Sequence, residues 1–178
     1  MKHDYNDLIC IFNQCFEQSH NTVLQLGGDE PIYYPASRQH PQHRIIFARG
    51  FFASALHEIA HWCVAGEARR LLEDYGYWYQ PDGRSAEVQA EFEKVEIRPQ
   101  AFEWILSASC NFQFRVSCDN LQGDFEPDRA VFTEKVRLQA LELLEQGLPE
   151  RLRLLSEHLC TFYQRTQVNA MDFQRASW

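Results

Sequence analysis

Several common features are missing from this 178-residue sequence, and each absence excludes a class of protein. No apolar run approaches the roughly 20 residues that a membrane-spanning helix needs. The six cysteines include no Cys-x-x-Cys pair, so neither a zinc ribbon nor a thioredoxin-like dithiol is indicated. The 17 basic residues are outnumbered by 25 acidic ones, and the net charge of −8 argues against nucleic acid and anionic membranes as partners.

The composition that remains is that of a folded globular protein, with 45% hydrophobic and 13% aromatic residues. No internal repeat or long linker divides the sequence, so we expect one domain over residues 1–178. Asp4 and Asp7 stand where a secretory signal would carry basic residues and then a long apolar segment. We therefore expect a cytoplasmic protein whose cysteines are reduced and buried.

The spacing of apolar and turn-forming residues predicts an α+β fold that is mainly helical with a small sheet. Helices are predicted over residues 4–18, 51–73, 86–96 and 99–109, with two more after residue 128, one ending at Gly147 and one starting at Pro149. Strands are predicted over residues 44–48 and 111–117, the second because polar and apolar residues alternate throughout it.

One motif carries recognisable chemistry, His57-Glu58-Ile59-Ala60-His61, and it lies inside a predicted helix. Histidines four residues apart share one face of a helix, so both imidazoles can reach one ion. Glu58 is rotated by ~100° from His57, where it can flank the ion and act on a bound water. The neighbouring residues are apolar, and polar groups in such surroundings need partners. We predict a metal site with Glu58 as its catalytic residue; the alternative is two histidines held by ordinary hydrogen bonds.

A third ligand is expected from the next acidic helix, which offers Glu87, Glu91, Glu93 and Glu96. Three apolar residues define the face of that helix expected to be buried: Val88, Phe92 and Val95. Glu91 and Glu96 lie ~70° from this face and Glu93 lies ~130° from it. Glu96 also stands just before Pro99, where a helix end would free its backbone. Glu96 is therefore our prediction, with Glu93 and Glu91 in reserve.

Taken alone, this motif with a later Glu is typical of zincin-like sites, and specifically of zinc peptidases of the gluzincin type, in which the motif Glu is the general base. The longer sequence resembles a different family, the bacterial elongation factor P hydroxylases, over roughly residues 5–165. The resemblance rests on Asp29-Glu30-Pro31-Ile32-Tyr33, residues 44–62, Gly76-Tyr77-Trp78-Tyr79-Gln80-Pro81-Asp82-Gly83-Arg84, Phe92-Glu93-Lys94-Val95-Glu96-Ile97-Arg98-Pro99-Gln100-Ala101, and Val116-Ser117-Cys118-Asp119-Asn120-Leu121 with Gly123-Asp124-Phe125-Glu126-Pro127-Asp128-Arg129.

This resemblance implies the oxygen-dependent hydroxylation of a lysine of elongation factor P that already carries a β-lysyl group. It also implies a centre of two histidines and one carboxylate, which maps onto His57, His61 and one of the downstream glutamates. Such a triad leaves coordination positions open and is the arrangement of non-haem iron oxygenases. The resemblance therefore implies iron(II) as the metal, and zinc is the alternative.

The substrate that the resemblance implies is a long side chain with several amines. Carboxylates and aromatic faces are the groups that bind such amines. The residues expected to line its pocket are Asp119, Asp124, Glu126, Tyr77 and Trp78.

Overall fold

In a computed structural model of the protein, residues 2–74, 83–118, 120 and 127–174 are described. In chain order they form α1 (Tyr5–His20), β1 (Thr22–Leu26), β2 (Ile32–Tyr34), β3 (His43–Phe47), α2 (Phe52–Val64), α3 (Ala86–Ser109), α4 (Arg129–Gln146) and α5 (Glu150–Phe162). Short 3-10 helices occur at Arg69–Leu71 and Ala170–Phe173. The predicted mainly helical fold with a small sheet is confirmed. Among the described helices, none has the length and apolar character needed to cross a membrane.

The sheet is built around β3, which pairs with β1 in parallel and with β2 in antiparallel orientation. Only β3 was predicted from the sequence. Its buried residues Ile45 and Phe47 belong to the core. Gly27, directly after β1, is required by close approach, because a Cβ there would lie 2.1 Å from Cγ2 of Ile46.

The helix α2 lies at the centre of the described structure. It packs against α1, α3, α5 and β3. Ala55, Leu56, Ile59 and Ala60 of this helix have no exposed surface. The motif identified in the sequence is therefore carried by the most enclosed helix of the fold, which fixes the direction of its side chains.

The helix predicted over residues 51–73 is wrong at its C-terminal end, because α2 stops at Val64. Arginine side chains take up the carbonyl groups there. Arg151 donates to the carbonyls of Trp62 at 2.8 Å and Ala65 at 2.7 Å, and Arg70 also donates to that of Ala65 at 2.7 Å. These cations satisfy carbonyls that have no partner within the helix and interact favourably with its dipole.

The predicted helix boundary at Pro99 is also wrong, because α3 continues through Pro99 as one helix of 24 residues. An internal proline costs about 3 kcal/mol in an isolated helix, since it removes a hydrogen bond and clashes with the preceding turn. Here α2, α4 and α5 all pack against α3. Pro99 is buried among them, so tertiary packing outweighs the local preference.

Residues 112–117 form no regular secondary structure and Asn111 lies in a turn, so the second predicted strand is wrong. The main-chain groups of Ser117 are held by a side chain instead of by a neighbouring strand. Gln100 accepts from the amide of Ser117 at 2.9 Å and donates to its carbonyl at 2.8 Å. The apolar Phe114 stacks on Trp104 of α3, with ring centroids 4.8 Å apart. The alternation of polar and apolar residues therefore reflects a segment that packs on α3 without forming a strand.

We expect Arg151→Ala to destabilise the protein by about 1–3 kcal/mol, because it removes the donor to two helix-end carbonyls. It also removes the stacking of the guanidinium on Trp62, whose ring centroid is 4.7 Å from Cζ of Arg151. The matched control is Arg153→Ala on the same helix, whose side chain pairs with exposed Glu157. Such a surface pair contributes about 0.3–0.5 kcal/mol. Urea denaturation of both variants measures the difference, and equal losses would contradict this account of the helix end.

Candidate metal centre

The motif of α2 faces two carboxylates of α3. His57 Nδ1 is 2.8 Å from Oε2 of Glu103, and His61 Nε2 is 3.4 Å from Oε1 of Glu96. Since the earlier histidine contacts the later glutamate, the two helices run in opposite directions. Each histidine is therefore matched with one carboxylate across the contact between α2 and α3.

Three of these side chains converge on one point. A ligand atom from each of His57, His61 and Glu96 can be chosen so that all three lie within 4.8 Å of one another. The two Nε2 atoms of the histidines are 3.0 Å apart. Glu96 is only 4% exposed, so its charge is enclosed together with the imidazoles.

These separations fit a shared metal ion. Donor atoms about 2.1 Å from one ion stand about 3.0–3.4 Å apart when the angles between the bonds are about 90–110°. The 3.0 Å between the Nε2 atoms and the 3.4 Å between His61 Nε2 and Glu96 Oε1 both fall in that range. Two imidazoles and a carboxylate also form a donor set suited to iron or zinc. The residues present therefore fit a divalent metal of this kind.

Charge is balanced inside the group by a proton when no metal is bound. Burial lowers the pKa of His57, but the facing carboxylate of Glu103, helped by Glu58 and Glu96, outweighs burial and raises it to about 10. Burial raises the pKa of Glu96, but its hydrogen bond to His61 and the nearby imidazoles outweigh burial and lower it to about 2. The carboxylates of Glu96 and Glu103 therefore favour a positive charge between them.

Glu58, the predicted catalytic residue, lies beside this group. Burial raises its pKa, against the opposing effect of His57 and His61. Glu58 and His61 also line a cavity of about 30 Å³ that is bordered by Tyr33, Trp62 and Arg70. That volume holds about two water molecules. A carboxyl group in this position can exchange protons between the cavity and the histidine pair.

The alternative third ligands lie elsewhere. Glu87 and Glu91 are exposed, and Glu93 is 3.7 Å from Lys135 of α4. The apolar face expected to be buried was also wrong, because Val95 is 37% exposed while Glu96 is buried. Glu96 therefore lies on the buried face itself and not beside it. The second half of α3 continues past Pro99 and packs against neighbouring helices. This packing fixes which side chains of α3 face the interior.

Glu103 was missed by the sequence analysis. Its carboxylate is buried, with 7% of its surface exposed, against His57. A signal was present, because polar residues recur on one face of α3 at the spacing of a buried stripe. These buried residues are Gln89, Glu96, Gln100, Glu103 and Ser107. The signal was hidden because the predicted break at Pro99 separated Glu96 from Glu103.

The predicted substrate-binding residues Tyr77, Trp78, Asp119, Asp124 and Glu126 lie outside the described residues. Two described residues close to them in the sequence, Arg84 and Asn120, are hydrogen-bonded to each other. The amide of Arg84 donates to Oδ1 of Asn120, and Nδ2 of Asn120 donates to the carbonyl of Arg84, both at 2.7 Å. Gln89 of α3 also donates to the carbonyl of Cys118 at 3.1 Å. Arg84 and Asn120 therefore meet at the N-terminal end of the helix that carries Glu96.

We expect His57→Ala, His61→Ala and Glu96→Ala each to abolish metal retention while the fold survives, because the core of α2 and α3 does not depend on the ion. Glu91→Ala is the matched control, since Glu91 is exposed on the same helix. Elemental analysis and circular dichroism of the purified variants measure both properties. Full metal content in any of the three variants, or metal loss in the control, would contradict this ligand set.

We also expect metal uptake to release a proton near neutral pH. The pKa of His57 is raised to about 10, so its imidazole is protonated in the metal-free protein. A ligand imidazole must be neutral, so the proton competes with the metal and affinity rises as pH rises. Calorimetric titration in buffers of different ionisation enthalpy measures the release. A heat of binding that does not vary with the buffer would count against it.

The comparisons with known proteins agree with one another. A family model described as elongation factor P hydroxylase matches residues 11–173. The elongation factor P lysine hydroxylase of Haemophilus influenzae is 54% identical over 166 residues, which covers 92% of this chain and 91% of that protein. Both matches span α2, α3 and the three converging side chains. The chain therefore belongs to the elongation factor P hydroxylase family.

Proposed function

We propose that this chain is a protein-lysine hydroxylase that acts on elongation factor P at a metal centre held by His57, His61 and Glu96. The observation that supports this most directly is the family match over residues 11–173, which contains all three side chains. The relative that is 54% identical is named for the same reaction on lysine. The chain would act as a single metalloenzyme domain.

Iron(II) is the metal that suits this proposal. Hydroxylation adds an oxygen atom and is a redox reaction, whereas zinc undergoes no redox change. Two histidines and one carboxylate with open positions are the donor set of non-haem iron oxygenases. Bound there, iron(II) would supply the activation of dioxygen. With its motif on α2 and its carboxylate from a later helix, the proposed centre would have a zincin-like layout without requiring a peptidase reaction.

The protein's own residues would orient the reactants and move protons. His57, His61 and Glu96 fix the ion from one side, because all three project from the contact between two buried helices. Glu58 would hold a proton on its carboxyl group and exchange it with water in the adjoining cavity. The same carboxyl group would serve as general base in a peptidase. Its position therefore suits both reactions, and the reaction product distinguishes them.

The substrate in this proposal is the lysine of elongation factor P that carries a β-lysyl group. Its amines would be bound by Asp119, Asp124 and Glu126, with Tyr77 and Trp78 as aromatic faces. The net charge of −8 suits a cationic side chain.

The cellular setting follows from the partner. A translation factor is modified where translation takes place, so the proposed location is the cytoplasm. Dioxygen is the second substrate. The acidic balance of 25 acidic against 17 basic residues supports no role for nucleic acid or an anionic membrane surface.

The deciding experiment is mass spectrometry of β-lysylated elongation factor P after incubation with iron(II)-loaded protein and a two-electron reductant, with and without dioxygen. The reductant supplies the electrons that convert the second oxygen atom of dioxygen to water. We expect a product heavier by one oxygen atom, on the modified lysine, only when dioxygen is present. Substrate without the β-lysyl group should react poorly, because fewer charge-assisted hydrogen bonds hold it. The control is the His61→Ala variant, which should give no product.

Two results would overturn the proposal. One is a cleaved elongation factor P, formed equally well with zinc and without dioxygen, which would identify a peptidase. In that case Glu58→Gln would retain the metal and stop cleavage. The other is an added oxygen that appears equally under anaerobic conditions, since the oxygen atom would then not derive from dioxygen.

A further inference from the structure

We infer that Glu103 is a positioning residue of this centre, which holds His57 by its Nδ1–H and thereby presents Nε2 of the same ring to the metal. The inference rests on the proposed function in one respect, that His57 and His61 bind the metal. It assigns to Glu103 no contact with the metal or the substrate. Its effect passes through the ring of His57.

The two nitrogens of His57 have different neighbours. Nδ1 is 2.8 Å from Oε2 of Glu103, while Nε2 is 3.0 Å from Nε2 of His61. These nitrogens point to different sides of the imidazole. A carboxylate at Nδ1 is therefore directed away from an ion shared through Nε2. Glu103 and Glu96 are chemically identical, yet their positions suit different roles.

The contact with Glu103 selects the tautomer of His57. A carboxylate can only accept a hydrogen bond, so Nδ1 must carry the hydrogen. In the neutral ring that binds a metal, the lone pair then lies on Nε2, which is the nitrogen that faces His61. A carboxylate behind a metal-bound histidine also makes the imidazole a stronger donor. The same hydrogen bond fixes the ring rotation, which is otherwise roughly two-fold.

Glu103 is enclosed in the contact between α2 and α3. It lies on α3 seven residues after Glu96, with Gln100 between them, and all three are buried. Gln100 donates to Oε2 of Glu96 at 3.2 Å. The contact between α2 and α3 therefore carries two supported carboxylates, one beside each histidine.

The test compares Glu103→Gln and Glu103→Leu with the matched control Glu93→Gln. Gln keeps an oxygen that accepts from Nδ1–H but loses the charge, and Leu loses both. Glu93 lies on the same helix and pairs with Lys135 instead of a histidine. Competition with a chelator for iron(II) or zinc measures affinity. We expect a loss of roughly 10–100-fold in Glu103→Leu, a smaller loss in Glu103→Gln, and none in the control.

A spectroscopic readout separates positioning from a general structural effect. In the cobalt(II)-loaded protein, the Nδ1–H of a metal-bound histidine gives a strongly shifted, exchangeable proton resonance. We expect that of His57 to be present in the wild type, Glu103→Gln and Glu93→Gln. In Glu103→Leu it should be lost by exchange with water, while circular dichroism remains that of the wild type.

The outcomes distinguish this inference from the proposed function. Wild-type metal affinity and an unchanged His57 resonance in Glu103→Leu would overturn the role of Glu103, and hydroxylation would stand. If Glu103→Gln lost metal as completely as Glu96→Ala, Glu103 would be a ligand and the inference would be wrong. A hydroxylase test without product, together with the expected loss of affinity, would remove the proposed function but keep the positioning role.

Discussion

The pairing of α2 with α3 through imidazoles and carboxylates is the interaction on which the site depends. Isolated carboxylates are costly to bury unless they are paired and hydrogen-bonded. Here Glu96 and Glu103 are buried because His61 and His57 face them. The central position of α2, enclosed by three helices and β3, keeps these partners in register. An apolar contact between α2 and α3 would avoid the free energy of desolvating these charges but would offer no ligand for an ion.

The same polar face of α3 also fixes the chain outside the two helices. Gln100 contacts Glu96 and both main-chain groups of Ser117. Gln89 holds the carbonyl of Cys118, next to the pair formed by Arg84 and Asn120. One helix therefore positions the buried carboxylate of Glu96 and also Ser117 and Cys118, which precede the predicted substrate-binding residue Asp119 in the sequence. A shift of α3 would disturb both at once.

The sequence was most informative where a local pattern decides the structure. The helix that carries His57 and His61 and the small strand β3 were predicted because their apolar spacing is regular. The failures have a common cause, since tertiary contacts overrode local signals. Pro99 did not end α3, and Ser117, the last residue of the second predicted strand, bonds to Gln100 instead of to a neighbouring strand. Glu103 was missed for the same reason, because the helix end expected at Pro99 separated it from Glu96.

In the metal-free protein, the proton on His57 takes the place of the positive charge that a bound metal ion would supply. With its pKa raised to about 10, the imidazolium supplies the positive charge that the surrounding carboxylates require before any metal arrives. We therefore expect the chain to fold before it acquires its ion, in contrast to small zinc domains in which the metal drives folding. Most protein sites bind the divalent metals in much the same order of affinity, so affinity alone does not select one metal. The timing of maturation, and the metals available at that moment, would then decide which ion this enzyme receives.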